Sequence, residues 1–219
     1  MFERERLNGH YGITAYLIGN ILSAIPYMLM ISLISGAIVC YLSGLHKGLE
    51  NYLYFASVLF AIMMWVESLM MVVGSIFPNF VMGVIIAGGV EGLAILTGGF
   101  YQIPSDLPKP LWKYPCYYIS FLTYAFQGSF KNEFEGLTFV GYQEGGTITV
   151  SGRDVLTDIW HVQMGHSKWV DLVIMFGMIV VYRVLFLVIN KVKEKSNPTV
   201  PTINRPKAKT FSRTNMDEL

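Results

Sequence analysis

Charge is what this 219-residue sequence has least of, and the shortage is local. Asp, Glu, Lys and Arg make up 14% of the chain, against about 25% in a soluble domain. From Tyr11 to Gly99 the only charged residues are Lys47, Glu50, Glu67 and Glu91. That stretch is solvated by lipid, and a soluble fold is excluded. A net charge of +1 supplies no cationic field, which excludes nucleic acid as a partner. Two cysteines, Cys40 and Cys116, are too few for a disulfide scaffold or a structural zinc site. His10, His46, His161 and His166 share no metal-ligand spacing, so no metal is expected, and His161 and His166 read as exposed loop residues. No Gly is followed directly by Lys, so the loop whose N–H groups and lysine cradle phosphates is missing. By itself the chain is expected neither to hydrolyse ATP nor to bind a cofactor. The one Asn-X-Thr triplet, Asn197-Pro198-Thr199, is closed to glycosylation by its proline.

Apolar sequence is what the chain has in excess, at 53% of residues with a mean hydropathy of +0.46. A spanning helix takes about 20 apolar residues to cross roughly 30 Å of hydrocarbon. Residues 11–45 hold no charged side chain, yet as one helix they would be about 52 Å long. Pro26 lacks an N–H, and its ring interrupts a helix. The reading is an interfacial elbow helix over 11–24 and a first span over 26–45, with one long kinked span as the alternative. Further spans fall at 52–73, 80–98 and 172–190, with a turn at Gly74, Ser75, Pro78 and Asn79. The last span contains Arg183 and ends at Lys191, Lys193 and Lys195.

The fold class is therefore an all-α polytopic membrane protein with four transmembrane helices and both ends on one side. Nine Lys and Arg residues in the two ends against six in the opposite loops put both termini in the cytoplasm by the positive-inside rule. Residues 1–10 are of mixed charge and run straight into the apolar segment, unlike a signal peptide.

Residues 100–130 are apolar but broken by Pro104, Pro108, Pro110 and Pro115, with nine aromatics between Phe100 and Phe126. Tyr and Trp gather where hydrocarbon meets water, and broken helices at membrane depth persist only against protein. A re-entrant or interfacial hairpin on the outer side satisfies both. Residues 131–168 then form a small extracellular loop domain, with a strand signal at 147–150 after Gly145-Gly146 and an amphipathic pattern at 155–162. The membrane domain covers 1–195, with hairpin and loop at 100–168. Residues 196–219, with Pro198, Pro201 and Pro206, read as a disordered cytoplasmic tail.

The opening Phe2-Glu3-Arg4-Glu5-Arg6, then Gly9-His10-Tyr11-Gly12 and the apolar run to Pro26, resembles the cytoplasmic elbow before the third membrane helix of ABC transporters of subfamily G, the white/brown half-size exporters. Val66-Glu67-Ser68-Leu69-Met70-Met71, Leu96-Thr97-Gly98-Gly99-Phe100, Tyr117-Tyr118-Ile119-Ser120-Phe121 and Lys131-Asn132-Glu133-Phe134 agree in order and spacing. Ser167-Lys168-Trp169 and Tyr182-Arg183 look like the plant lipid-exporting branch. The resemblance covers about residues 1–195. It implies the C-terminal part of an ABC-2 type transmembrane domain, helices three to six of six. It also implies a homo- or heterodimer with another half-transporter, a lipidic substrate, surrounding membrane lipids and the plasma membrane as location. ATP and Mg would act only through a nucleotide-binding domain that these residues do not contain. Leu42-Ser43-Gly44 echoes an ABC signature but sits at a membrane helix end.

The resemblance also assigns roles. Ala87, Glu91 and Ala94 fall where the family's fifth helix lines the substrate cavity of the dimer, and Gly99 and Phe100 match its outer gate. Glu3, Arg4, Glu5 and Arg6 read either as an exposed juxtamembrane patch or as the coupling element to the nucleotide-binding domain, which the resemblance favours. Glu67 and Arg183 are intramembrane polar residues. An ionised carboxylate at a helix centre costs about 3 kcal/mol and turns inward or to a wet cavity. Glu67 reads first as an interhelical hydrogen-bonding group, Arg183 as a side chain snorkelling to phosphates. Glu91 stands inside the small-residue pair Gly88 and Gly92, which permits close helix approach; packing and substrate contact both remain open for it.

Three functions compete. The first is the transmembrane half of an ATP-driven exporter of lipidic or hydrophobic substrates, here a fragment, a truncated gene model or a dominant-negative short isoform. The second is a four-span scaffold of tetraspanin or claudin type, disfavoured because residues 131–168 hold no cysteine to staple the long loop. The third is an intramembrane enzyme using Glu67 and Glu91, disfavoured because acid–base work needs both groups at one reacting atom and the spans set them about 9 Å apart in depth.

Overall fold

The computed structural model describes residues 12–45, 48–99, 116–143 and 146–196, with the side chains of 141–143, 146–148 and 196 outside the description. Five helices and one hairpin organise them. They are α1 (Ile13–Ser43), α2 (Leu49–Ile76), α3 (Phe80–Thr97), α4 (Phe121–Phe134), β1 (Thr138–Gln143), β2 (Gly146–Ser151) and α5 (Lys168–Ser196). α1, α2, α3 and α5 are long and apolar enough to cross a membrane, as the sequence predicts.

The first helix corrects the sequence reading. It runs 31 residues without interruption through Pro26, about 46 Å, so no separate elbow precedes a span that starts at Pro26. A proline removes one hydrogen bond; the apolar residues on either side keep the rest. The first turns are also held from outside, because Ile13 and Leu17 pack with Val72 and Phe186. Gly44 ends the helix in the left-handed region at φ +62°, which glycine adopts without a Cβ penalty. The turn after α2 comes later than the Gly74-Ser75 signal suggests, since both lie inside the helix. The side chain of Asn79 then caps α3 by accepting from the N–H of Val81 at 3.0 Å, as its type favours.

α2 is the axis of the bundle. Tyr54, Val58, Ala61, Trp65 and Leu69 form its buried stripe at helical spacing, against Phe121 and Ala125 of α4 and Leu172, Met175 and Ile179 of α5. Trp65 lies between Phe121, stacked at 3.8 Å, and the edge of Tyr182 at 5.3 Å. α1 and α3 sit outside this core. In the most apolar 18-residue window of α2, half the positions are buried, against 11% in α1 and 17% in α3. Lipid tails are as apolar as leucine, so close packing and polar contacts, not hydrophobic burial, hold such helices together. Gly36 of α1 accordingly meets Ala56 of α2, two small residues at the crossing.

The predicted outer region is partly described. Residues 100–115 lie outside the description; after them come a helical turn Tyr117–Ile119 and α4, which extends past residue 130 into the predicted loop domain. The expected strand is β2, paired antiparallel with β1 from Thr138↔Ser151 to Gln143↔Gly146. The amphipathic stretch forms a π-helical turn, Val155–Ile159, with Leu156 fully buried. Both ends of the described chain lie at one end of the bundle, where Phe186 meets Ile13 and Asn190 meets Ser75. The tail from 197 onward lies outside the described residues.

Candidate functional site

Two ionic clusters, one inside the span and one at the hairpin end, tie the helices together. Arg183 stands fifteen residues after the first residue of α5, about 22 Å along the helix. One guanidinium nitrogen lies 2.5 Å from Oε2 of Glu67 on α2, and another contacts the sulfur of Met71. Asn20 of α1 donates to the other Glu67 oxygen at 2.6 Å. Glu67 and Met71 are four apart on α2 and so face Arg183 together. Three helices meet at one carboxylate. This gives Glu67 the expected interhelical bond, and it corrects Arg183. The arginine is 5% exposed and is held by a partner instead of snorkelling outward. Each charge neutralises the cost of placing the other in hydrocarbon.

The second cluster escaped the sequence reading. Lys131, in the last turn of α4, meets Asp171, in the first turn of α5, at 2.9 Å, with side chains 2% and 0% exposed. Each sign suits its end of its helix dipole. The second Asp171 oxygen lies 2.6 Å from Nε2 of His166, and Lys131 also donates to the His166 carbonyl at 3.2 Å. Lys168 donates to Asn132 at 3.0 Å and lies 3.5 Å from Glu50, while Asn132 donates to the Asn51 carbonyl. The Tyr54 hydroxyl donates to the Lys168 carbonyl at 2.8 Å. α2, α4 and α5 are thereby cross-linked at the hairpin end. His166 is half-buried in this network, not the exposed loop residue expected. The available signal was slight: a lone acid, Asp171, immediately before the last predicted span.

On α3 the structure divides the predicted cavity residues. Ala87 and Ala94 are buried in the chain's own core. Small side chains there let α3 close on α2, and Ala94 also lines a small pocket with Trp65, Val90 and Tyr182. Glu91 is half-buried, and its Oε1 is buried without a hydrogen-bond partner among the described residues. The outward side of α3 exposes Ile85, Leu93 and Leu96, and among the described residues nothing lies within 4 Å of a Cβ placed on Gly88 or Gly92. Glu67 is taken up by Arg183 and Asn20, so it does not form an acid–base pair with Glu91. Gly99 has φ +86°. Phe100 and the coupling residues Glu3, Arg4, Glu5 and Arg6 lie outside the described residues. Among the described residues no three His, Cys, Asp or Glu side chains could hold a metal, and Cys40 and Cys116 are free thiols.

Comparison with known proteins agrees with this architecture. The ABC-2 type transporter family matches residues 1–134. The chain is 52% identical over 200 residues to ABC transporter G family member 1 of Petunia hybrida, covering 91% of this chain and 30% of that protein. To ABC transporter G family members 11 and 13 of Arabidopsis thaliana it is 44% and 35% identical, again over 91% of its length. It spans about three-tenths of the length of these relatives. Four apolar helices in one bundle, a match over more than half the chain and these relatives lead to one assignment: the chain belongs to the ABC-2 type transporter family, among proteins similar to the plant ABC transporter G members.

Proposed function

We propose that this chain is the transmembrane half of an ATP-driven exporter of lipidic or hydrophobic substrates, acting as a homo- or heterodimer in the plasma membrane with both termini cytoplasmic. The observation that carries the reading is the lopsided bundle. α2, α4 and α5 are locked by ionic clusters, while α1 and α3 turn long apolar faces away from the chain's own core. Such faces suit further membrane helices and a partner half-transporter. Glu91 sits at the edge of the α3 face, where a polar substrate head or a partner helix would meet its carboxylate. Gly99 and Phe100 follow as the outer gate.

ATP and Mg would act on a nucleotide-binding domain outside these 219 residues, docked through Glu3, Arg4, Glu5 and Arg6. The 31-residue α1 would carry its closure inward, because Asn20 ties that helix to the Glu67–Arg183 pair. The chain itself supplies no ATPase chemistry in this reading.

The test is a chimera in which these residues replace the matching segment of a full-length plant relative, reconstituted in liposomes. ATP-dependent outward movement of a labelled lipid is expected. A chimera that folds and hydrolyses ATP but moves no lipid overturns the proposal.

A further inference from the structure

Three lysines stand in the last turns of α5, and the helix sends them to different sides. At 3.6 residues per turn, Lys193 falls on the side of Phe186 and Asn190, whereas Lys191 and Lys195 fall in line with Val184 and Val188. The contacts agree. Lys193 donates to the carbonyl of Ser75 in the last turn of α2, and Asn190 donates beside it to the Ser75 hydroxyl at 3.0 Å. A helix end leaves its last four carbonyls without intrahelical partners, so Lys193 acts as a cap for α2. Lys191 and Lys195 are exposed, and among the described residues neither forms an ion pair, with Glu194 or with any other acid.

The side that carries those two lysines is otherwise apolar. Val181, Val184, Val188 and Val192 are each about half exposed or more. Lys191 and Lys195 continue that stripe at spacings of three and four residues, the spacing of neighbours on one helix face. Val181 stands ten residues before Lys191, about 15 Å along the axis, which is one leaflet of a hydrocarbon core about 30 Å thick. A lipid lying along the stripe therefore keeps its tails on valine and brings its head to two ammonium groups one turn apart. An ammonium binds phosphate as a compact point charge with three donors. The sequence beyond adds Arg205, Lys207, Lys209 and Arg213, with no acid between Glu194 and Asp217, so the local surplus is strongly positive although the whole chain is nearly neutral.

We propose that this end of the outer face of α5 is a binding site for an anionic phospholipid, with an acyl chain along Val184 and Val188 and the headgroup phosphate held by Lys191 and Lys195. The leaflet it occupies rests on the cytoplasmic placement of the termini; the binding itself does not.

The probe is phosphatidylserine with a diazirine in one acyl chain, a minor component of phosphatidylcholine nanodiscs that hold the whole chain. Cross-links are mapped by mass spectrometry and expected in 181–192. A lysine beside an anionic surface is worth about a fivefold preference, so unlabelled phosphatidylserine should compete about twenty-five-fold better than phosphatidylcholine. Lys191→Gln or Lys195→Gln should each lower that preference about fivefold, and the double variant should abolish it. Lys193→Gln should leave it intact and instead speed hydrogen exchange in the last turn of α2. Glycerophosphoserine, the same head without tails, should not compete. An equal loss with Lys193→Gln, competition by glycerophosphoserine as strong as by the lipid, or no preference over phosphatidylcholine would each overturn the proposal. The nanodisc offers the same lipids in both leaflets and no ATP is involved. A failure here thus leaves the export reading standing, and a silent chimera or an inverted topology leaves this binding result intact.

Discussion

Take the buried pair at the hairpin end and remove it one charge at a time. At 2.9 Å the attraction between Lys131 and Asp171 is about 6 kcal/mol for an effective dielectric near 20. Withdrawing each ion from water costs several kcal/mol, so the pair as a whole contributes close to nothing. The singles are another matter. Asp171→Leu leaves a buried ammonium with one carbonyl, that of His166, and should cost about 3–5 kcal/mol. Lys131→Met leaves Asp171 with His166 alone, at the lower end of the same range of about 3–5 kcal/mol. The double variant strands neither charge and should lie within about 1 kcal/mol of the native chain, giving a coupling of about 5 kcal/mol or more. His166→Ala, which keeps the Lys131 contact, should cost only about 1 kcal/mol. SDS titration from mild micelles, followed by circular dichroism, reads all four. If the double variant loses the sum of the two singles, the pair is not coupled and the reasoning fails.

Other substitutions test the remaining joints. Arg183→Leu strands Glu67 and should cost about 3–5 kcal/mol in the same titration, with much of it restored by adding Glu67→Leu. Asn20→Ala removes a hydrogen bond to a charged acceptor, worth about 1.5–3 kcal/mol, and should raise hydrogen exchange in α1 while α5 stays protected. Gly128→Ala puts a methyl 2.2 Å from the Tyr54 hydroxyl oxygen; the overpacking should cost about 1–3 kcal/mol, and Tyr54→Phe in the same chain should relieve most of it.

What the sequence could say depended on which physical force wrote it. Spans were legible because an ion costs so much in hydrocarbon that its absence marks a helix, and residues 80–98 anticipate α3 almost to its ends. Pro26 misled because backbone rules set only a local cost, while Ile13 and Leu17 find partners far along the chain in Val72 and Phe186. Glu67 and Arg183 were each conspicuous, but nothing in a linear pattern pairs residues 116 positions apart. Lys131 and Asp171 were less visible still, because near a predicted loop a charge looks ordinary and only burial makes it costly. Alanine is ambiguous for a related reason: it permits both a cavity wall and a close helix crossing, and Ala87 packs in the chain's own core.

The two ionic clusters have a joint consequence that neither has alone. Asp171 and Arg183 are twelve residues apart on α5, about 18 Å along its axis. Apolar helices in lipid slide past one another at little cost, since one leucine face resembles the next. Here a slip of one helical turn, about 5.4 Å, would break both ion pairs together and leave four unpaired charges in or beside hydrocarbon. The register of α5 against α2 and α4 is thus fixed at two depths by charge. Any relative motion in this bundle must carry those three helices as one body, with α1 tied to it where Asn20 meets Glu67.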